Sequence, residues 1–332
     1  MLFYIVLAAG GTAVVWWGST WLESSSAKLA VHYRLPPIVQ GAVITAIGSS
    51  FPELSSTVIA TLLHGSFDLG VSAVVGSAIF NILVIPGVAG LAGGRLAAER
   101  DLVYKDAQFY VTSVAVLLLA FSIAVIYNPV EGQVLVGRMD RGIALIPVLL
   151  YGLYLFLQQQ DTLEYEAEAA AETIAAGRQW LVLLAGLGAI LAGVEGLVRA
   201  AIGLGDYFGT PSFLWGLTVI AAATSLPDAF VSIKAARRGE GTVSIANVLG
   251  SNIFDLLVAV PAGVLIAGTA PIDYTVAAPM MGYLTFVTIV LFAMLRTRLV
   301  LARWEAWALL ALYALFVGWM VLETIGVTGV VA

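Results

Sequence analysis

Ten stretches of about 20 predominantly apolar residues recur along this chain of 332 residues, with short polar segments between them. Each, wound as a helix, is long enough to cross a hydrocarbon layer of about 30 Å, where backbone N–H and C=O groups must be satisfied within the segment itself. The stretches run over roughly 2–22, 37–62, 69–92, 107–126, 139–157, 180–202, 212–233, 243–267, 275–295 and 304–322. Composition agrees, because 61% of the residues are apolar and only 11% charged, against about a quarter charged in a soluble domain. An all-α membrane protein is the expected fold class. A net charge of −6 leaves no basic footprint for nucleic acid. With no cysteine and two histidines, disulfides, thiol chemistry and a typical zinc or haem site are excluded. The first stretch starts at Met1 without a basic flank or a small-residue cleavage site, so it reads as a retained helix.

Positive charge orients the spans. Sorting Lys and Arg by alternate loops puts Lys28, Arg34, Arg95, Arg100, Lys105, Arg178, Lys234, Arg237, Arg238, Arg296, Arg298 and Arg303 on one side, and Arg138, Arg141 and Arg199 on the other. That asymmetry predicts an even number of spans with both termini outside. The longest inner connection, 158–179, carries Asp161, Glu164, Glu166, Glu168 and Glu172 among alanines and reads as a solvated cytoplasmic linker.

The chain repeats itself. Gly41-Ala-Val-Ile-Thr-Ala-Ile-Gly-Ser-Ser-Phe-Pro-Glu53 returns 175 residues later as Gly216-Leu-Thr-Val-Ile-Ala-Ala-Ala-Thr-Ser-Leu-Pro-Asp228. Val74-Val-Gly-Ser-Ala-Ile-Phe-Asn81 returns after 174 as Val248-Leu-Gly-Ser-Asn-Ile-Phe-Asp255. Leu35-Pro36 before the first copy is matched by Thr210-Pro211 before the second. Five spans separate the copies, so the second half meets the membrane from the opposite side. The predicted organisation is two inverted five-helix repeats, 1–157 and 180–332, which places a shared site near the midplane where they meet.

What the copies carry is oxygen. Glu53 and Asp228 fall about halfway along apolar helices, and Asp255 holds the same kind of position on the eighth span; an ionisable group at that depth marks a site or a pathway. Ser49 and Ser50 stand one turn before Glu53, as Thr224 and Ser225 stand before Asp228. Ser77 and Asn81 are i,i+4 on the third span, as are Ser251 and Asp255 on the eighth. Pro52 and Pro227 displace the carbonyls of Gly48 and Ala223, freeing oxygens that only a cavity or a cation tolerates at this depth. Hard oxygen ligands with several carboxylates suit Ca2+, which takes about 6 to 8 oxygens, and Na+, rather than a soft transition metal. Gly41, Gly76, Gly216 and Gly250 are candidates for close helix approach in lipid.

At these residues the chain resembles the calcium/cation antiporter superfamily, whose paired signature repeats correspond to Gly41–Asn81 and Gly216–Asp255. The likeness extends to the spans before each repeat, including Gly193-Val-Glu-Gly-Leu-Val198. The resemblance implies alternating access, with Na+ exchanged for Ca2+. Carried over residue by residue, it implies Glu53 and Asp228 as central carboxylates, Ser49, Ser50, Thr224 and Ser225 as oxygen donors, and Ser77 and Ser251 at flanking Na+ sites. It places Asn81 and Asp255 beside them and adds the backbone oxygens of Ala46 and Ala221. Gly-Ser-Ala-Ile-Phe-Asn in the first repeat and Ser-Asn-Ile-Phe-Asp in the second resemble the potassium-dependent sodium/calcium exchangers, which adds K+ as a candidate cargo. An aspartate at the place of Asp255 also occurs in prokaryotic relatives without known potassium dependence. The chain departs from the pattern in having Ser49 for the commoner threonine, and Ala73 and Ala78 where the second copy has Asn247 and Asn252.

The expected cargo is Ca2+ and Na+, the expected surroundings are the lipid bilayer of the cell membrane, and no cofactor is called for. Three acids around one Ca2+ leave one negative charge, so either a monovalent cation joins it or Asp255 carries a proton; three Na+ would balance the trio. A proton-coupled or other-cation antiporter on the same scaffold is the alternative that Na+ dependence separates. A channel needs a continuous pore rather than one midplane cage. An intramembrane enzyme would need a nucleophile beside a base, where these hydroxyls read as ligands. Glu195 and Arg199, i,i+4 on the sixth span, read as a structural pair, and His64 as an interfacial residue. Trp16, Trp17, Trp304 and Trp307 read as belt residues.

Overall fold

The computed structural model describes residues 1–33, 46–93, 96–100, 102–162 and 175–329. The first half comprises α1 (Leu2–His32), α2 (Ala46–His64), α3 (Phe67–Ala92), α4 (Ala107–Tyr127) and α5 (Arg141–Thr162). The second begins with α6 (Ala176–Phe208) and continues as two composite rods. One joins α7 (Ser212–Trp215) to α8 (Ala221–Arg237) through a π-helical turn, Gly216–Ile220; the other joins α9 (Gly241–Phe254) to α10 (Val260–Ala267) through Asp255–Ala259. α11 (Tyr274–Arg298) and α12 (Arg303–Thr324) complete it.

Nine of these segments, among the described residues, are apolar and long enough to cross a membrane. The tenth crossing is α2, whose described 19 residues hold Ser49, Ser50, Glu53, Ser55, Ser56 and Thr57, all buried. That density of polar side chains lowers its hydropathy, and their burial shows they face protein rather than lipid. α3 is buried over most of its length and forms the centre of the bundle. Large apolar side chains such as Leu119, Leu149, Leu181 and Leu315 point outward from the peripheral helices, as a lipid-facing surface requires.

The two halves meet about an approximate two-fold axis, and α1 against α6 shows it directly. Gly186 and Gly193 stand 175 residues after Gly11 and Gly18. A Cβ on Gly11 would lie 2.8 Å from the Gly193 carbonyl oxygen and one on Gly193 2.8 Å from that of Gly11, while Gly18 and Gly186 face each other at 2.9 and 2.8 Å. The partners are exchanged: as one index rises by a heptad the other falls by one. α1 and α6 are therefore antiparallel equivalents packed backbone to backbone, as small residues permit in lipid. A second close crossing joins the repeats at their centre. A Cβ on Gly76 would lie 2.3 Å from the Leu217 carbonyl oxygen, and one on Gly216 2.4 Å from Ser72 Oγ. Gly250, expected to serve the same purpose, has nothing within 4 Å of its would-be Cβ, and Gly41 lies outside the described residues.

Two short ribbons outside the apolar spans fix the parity of the crossings. β1 (Leu96–Ala97) pairs antiparallel with β4 (Val300–Leu301), and β2 (Val136–Asp140) with β3 (Thr269–Asp273), Val136 opposite Asp273. Strands can pair only on the same side of the membrane. The β2 and β3 loops are four crossings apart and the β1 and β4 loops six, so an extra or missing span between either pair would put the partners on opposite faces.

Trp17, Trp304 and Trp307 are exposed as a belt demands, whereas Trp16 is half-buried and packs edge-to-face on Phe230 of α8 at a centroid distance of 3.9 Å. The acidic part of the linker, Glu164 to Glu172, lies outside the described residues.

Overpacking at the crossings tests the geometry. Gly76→Leu should destabilise the detergent-solubilised protein by about 1–3 kcal/mol or more, read as a lowered Tm and loss of a single elution peak. Gly250→Ala, placed in open space within a helix, should instead stabilise by ~0.5–1 kcal/mol.

Candidate functional site

Backbone irregularity concentrates where the repeat copies cross. Pro52 lies inside α2 and Pro227 inside α8, so neither supplies the N–H that would cap the carbonyl four residues earlier. The π-helical turn Gly216–Ile220 immediately precedes α8, and a second one starts at Asp255. Such wide turns shift the side chains that follow and are frequent at functional positions. Asn81, the counterpart of Asp255, sits instead in the unbroken α3. The two copies share a sequence pattern but not a backbone at this point.

Around these irregularities the structure gathers the polar residues of both copies. Ser49, Ser50, Glu53, Ser77, Asn81, Thr224, Ser225, Asp228, Ser251 and Asp255 are each no more than 2% exposed. Ser77 Oγ donates to Glu53 Oε1 at 3.1 Å and shares a hydrogen bond with Ser225 Oγ at 2.7 Å. Ser49 Oγ meets Ser251 Oγ at 3.1 Å, and Ser50 Oγ reaches the Ser251 carbonyl at 3.5 Å. Each of these contacts except Ser77–Glu53 crosses between repeats. Thr224 Oγ1 donates back to the carbonyls of Ile220, at 3.1 Å, and Ala221, at 3.3 Å.

The carboxylates are left open. Glu53 Oε2, both oxygens of Asp228 and both of Asp255 are buried and have no hydrogen-bond partner. Glu53 and Asp228 lie close enough for their charges to interact, and Asp255 feels both. Ser251, Ser49 and Asn247 face the Asp228 carboxylate without alignment for a hydrogen bond. Burying unpaired charge in low dielectric is costly, and the arrangement surrounds that cost with hydroxyl and carbonyl oxygens, the inventory of a hard-cation site. Among the described residues no three His, Asp or Glu side chains converge tightly enough to chelate one ion.

Asn247 and Asn252 extend the site beyond the residues singled out from the sequence. Asn252 is fully buried; its Nδ2 donates to the Ala78 carbonyl at 3.2 Å and to Tyr110 Oη at 3.1 Å, while its Oδ1 accepts from Asn81 Nδ2 at 3.0 Å. Asn247 Nδ2 donates to Ser232 Oγ at 3.1 Å. The signal was present in the departure from symmetry, Asn where the first copy has Ala73 and Ala78. Tyr110 carries no such mark. Of the implied backbone donors, Ala221 begins α8 and Ala46 is the first described residue of α2. At the bundle edge Glu195 pairs with Arg199 as expected, and its Oε2 also meets His64 Nε2 at 3.0 Å. His64 is therefore a tie between α2 and α6 rather than an isolated interfacial residue.

An inverted pair of five-helix repeats with buried, open carboxylates at their crossing defines a membrane antiporter, not an enzyme. The sequence profile of the sodium/calcium exchanger protein family matches residues 3–159 and 178–322, and the chain belongs to that family. It is similar to CaxA of Alkalimonas amylolytica, 30% identical over 270 residues, 80% of this chain and 82% of the relative. It is also similar to the sodium/calcium exchanger MaX1 of Methanosarcina acetivorans, 25% identical over 334 residues, 90% of this chain and 93% of the relative. Its fold matches that of the sodium-calcium exchanger NCX_Mj with a TM-score of 0.63 at 24% identity, covering 96% of this chain and 98% of that one.

Removing the Asn252 amide leaves Asn81 Nδ2 and Tyr110 Oη without their buried partner. Asn252→Leu should cost about 1–3 kcal/mol, measured as a fall in Tm.

Proposed function

We propose that the chain exchanges Na+ for Ca2+ across the cell membrane by alternating access, with both termini outside. The observation that carries this reading is the set of buried, unpartnered oxygens of Glu53 and Asp228, one from each inverted copy, beside serine hydroxyls of both repeats that hydrogen-bond to each other across the crossing. Glu53 and Asp228 are the central ligands. Ser49, Ser50, Thr224 and Ser225 complete the first ring with the carbonyls of Ala46 and Ala221; Ser77 and Ser251 serve flanking Na+ subsites, and Asn81 and Asp255 stand beside them. No cofactor takes part.

Charge explains the coupling. Glu53, Asp228 and Asp255 are neutralised by three Na+, and equally by one Ca2+ with either K+ or a proton on Asp255. Loaded states are near neutral and can pass through the occluded arrangement; the empty site, with unpaired carboxylates in low dielectric, is held back. Obligatory exchange follows without a separate gate. The orientation rests on the Lys and Arg asymmetry, which puts the 158–179 linker in the cytoplasm.

The test is uptake of radioactive Ca2+ into reconstituted liposomes loaded with Na+ and diluted into Na+-free buffer, with and without K+. Uptake should require internal Na+ and fall by about 100-fold or more in Glu53→Gln, the loss of one charged ligand in a desolvated site. Uptake driven by a pH gradient with no need for Na+ would replace Na+ coupling by proton coupling. If K+ stimulates, Asp255→Asn should abolish the stimulation; an unchanged K+ response in that variant removes Asp255 from the K+ site.

A further inference from the structure

Among the side chains assigned to the cation site, only Asn81 is an amide. A carboxylate offers oxygen however it turns, whereas an amide has a carbonyl oxygen on one side and an NH2 group, which repels a cation, on the other. Asp255, the counterpart of Asn81 in the second repeat, needs no such setting. Asn81 does.

A chain of hydrogen bonds supplies it, starting from a backbone carbonyl that can only accept. The Ala78 carbonyl takes Asn252 Nδ2 at 3.2 Å, and the same Nδ2 also donates to Tyr110 Oη at 3.1 Å. With both amide hydrogens committed, Asn252 has Oδ1 left, and that oxygen accepts from Asn81 Nδ2 at 3.0 Å. Asn81 Oδ1 is then turned away from Asn252, buried and without a hydrogen-bond partner, like the open carboxylate oxygens. Turning Asn252 over would set its Oδ1 against the Ala78 oxygen and its NH2 against that of Asn81, so the hydrogen-bond network allows one order. Asn81 stands one turn after Ser77, whose Oγ donates to Glu53 Oε1 at 3.1 Å; the two side chains share the face of α3 that meets the site.

The position of Asn252 is itself informative. It comes 174 residues after Ala78, the offset of this part of the repeat, and the two counterparts are in contact. Counterparts meet only near the two-fold axis. Alanine on one side of that axis leaves room for a single amide, and the amide acts on Asn81 rather than on Asp255.

We infer that Asn252 is a positioning residue of the cation site: held by the Ala78 carbonyl, it turns the Asn81 amide so that Oδ1, not Nδ2, faces the ion. The inference rests on the cation-antiport reading above, in which Asn81 stands beside the flanking Na+ subsites. Asn252 needs no contact with the ion, because its amide hydrogens and its oxygen are all engaged within the protein.

The experiment is a double-mutant cycle on Na+-driven uptake of radioactive Ca2+ into liposomes, with internal Na+ varied at saturating external Ca2+. Asn252→Leu should raise the half-maximal Na+ concentration about tenfold, with the maximal rate per folded protein within about threefold of the wild type. Asn81→Ala should raise it by a similar factor, and adding Asn252→Leu to Asn81→Ala should change it by less than about twofold, because the oxygen that Asn252 sets is already gone. The half-maximal concentration is a property of the folded molecules alone, and Asn252→Ala, which adds no bulk, is read in the same way if Asn252→Leu folds poorly. A raised value in Asn81→Ala with none in the Asn252 variants, a fall in maximal rate alone, or additive effects in the double variant would overturn the positioning role and leave Asn81 as a ligand. An unchanged value in Asn81→Ala would remove Asn81 from the ligand set and the positioning role with it. Glu53→Gln is run in parallel, and normal uptake in that variant would fail the antiport site itself.

Discussion

Buried carboxylates in a hydrocarbon slab are the constraint from which the rest of this molecule follows. An acid at that depth with no basic partner is unfavourable by several kcal/mol, and here Glu53, Asp228 and Asp255 are all buried, with Glu53 Oε2 and both oxygens of Asp228 and Asp255 accepting no hydrogen bond. Among the described residues no Lys or Arg forms an ion pair with them. The protein surrounds them with Ser, Thr, Asn and backbone carbonyls, whose oxygens can coordinate a cation. On the proposed reading stability and function are the same matter, because a bound cation offsets the cost of the buried carboxylates.

Holding such groups together requires backbones that come unusually near each other. Gly76 and Gly216 bring α3 and the α7–α8 rod into direct contact at the centre, and the reciprocal pairs Gly11–Gly193 and Gly18–Gly186 do so for α1 and α6. Without a hydrophobic force between helices in lipid, close packing and hydrogen bonds across it supply the association. The Asn81–Asn252–Tyr110 chain is one such bond network, linking α3, α9 and α4. The symmetric glycine contacts and the asymmetric asparagine network divide the work: the first sets the two-fold framework, the second distinguishes its halves.

Asymmetry is where the function gains direction. The repeats share Ser/Thr, Pro and acid in order, yet Asp255 opens a π-helical turn while Asn81 lies in a regular helix. Asn247 and Asn252 have alanines for counterparts. A strictly symmetric pair of repeats would present identical paths to both faces.

Much of this was legible in the sequence because it depends on periods and counts. Apolar stretches long enough to span, the repeat at a near-constant offset, the odd number of spans between copies and the mid-helix acids together fix an inverted ten-helix bundle with oxygen donors at its crossing. Those features follow from backbone satisfaction in lipid, which leaves the chain few alternatives. The contacts did not follow. Gly76 and Gly250 occupy equivalent motif positions, yet one touches a backbone and the other nothing. Glu23 belongs to no motif, and its approach to Gly48 comes from how α1 lies across α2. His64 looks isolated in the sequence but meets Glu195 from 131 residues away. Sequence period determines which face a residue occupies along its own helix; which residue of another helix it then meets depends on crossing angle and depth, and only the packed bundle decides those.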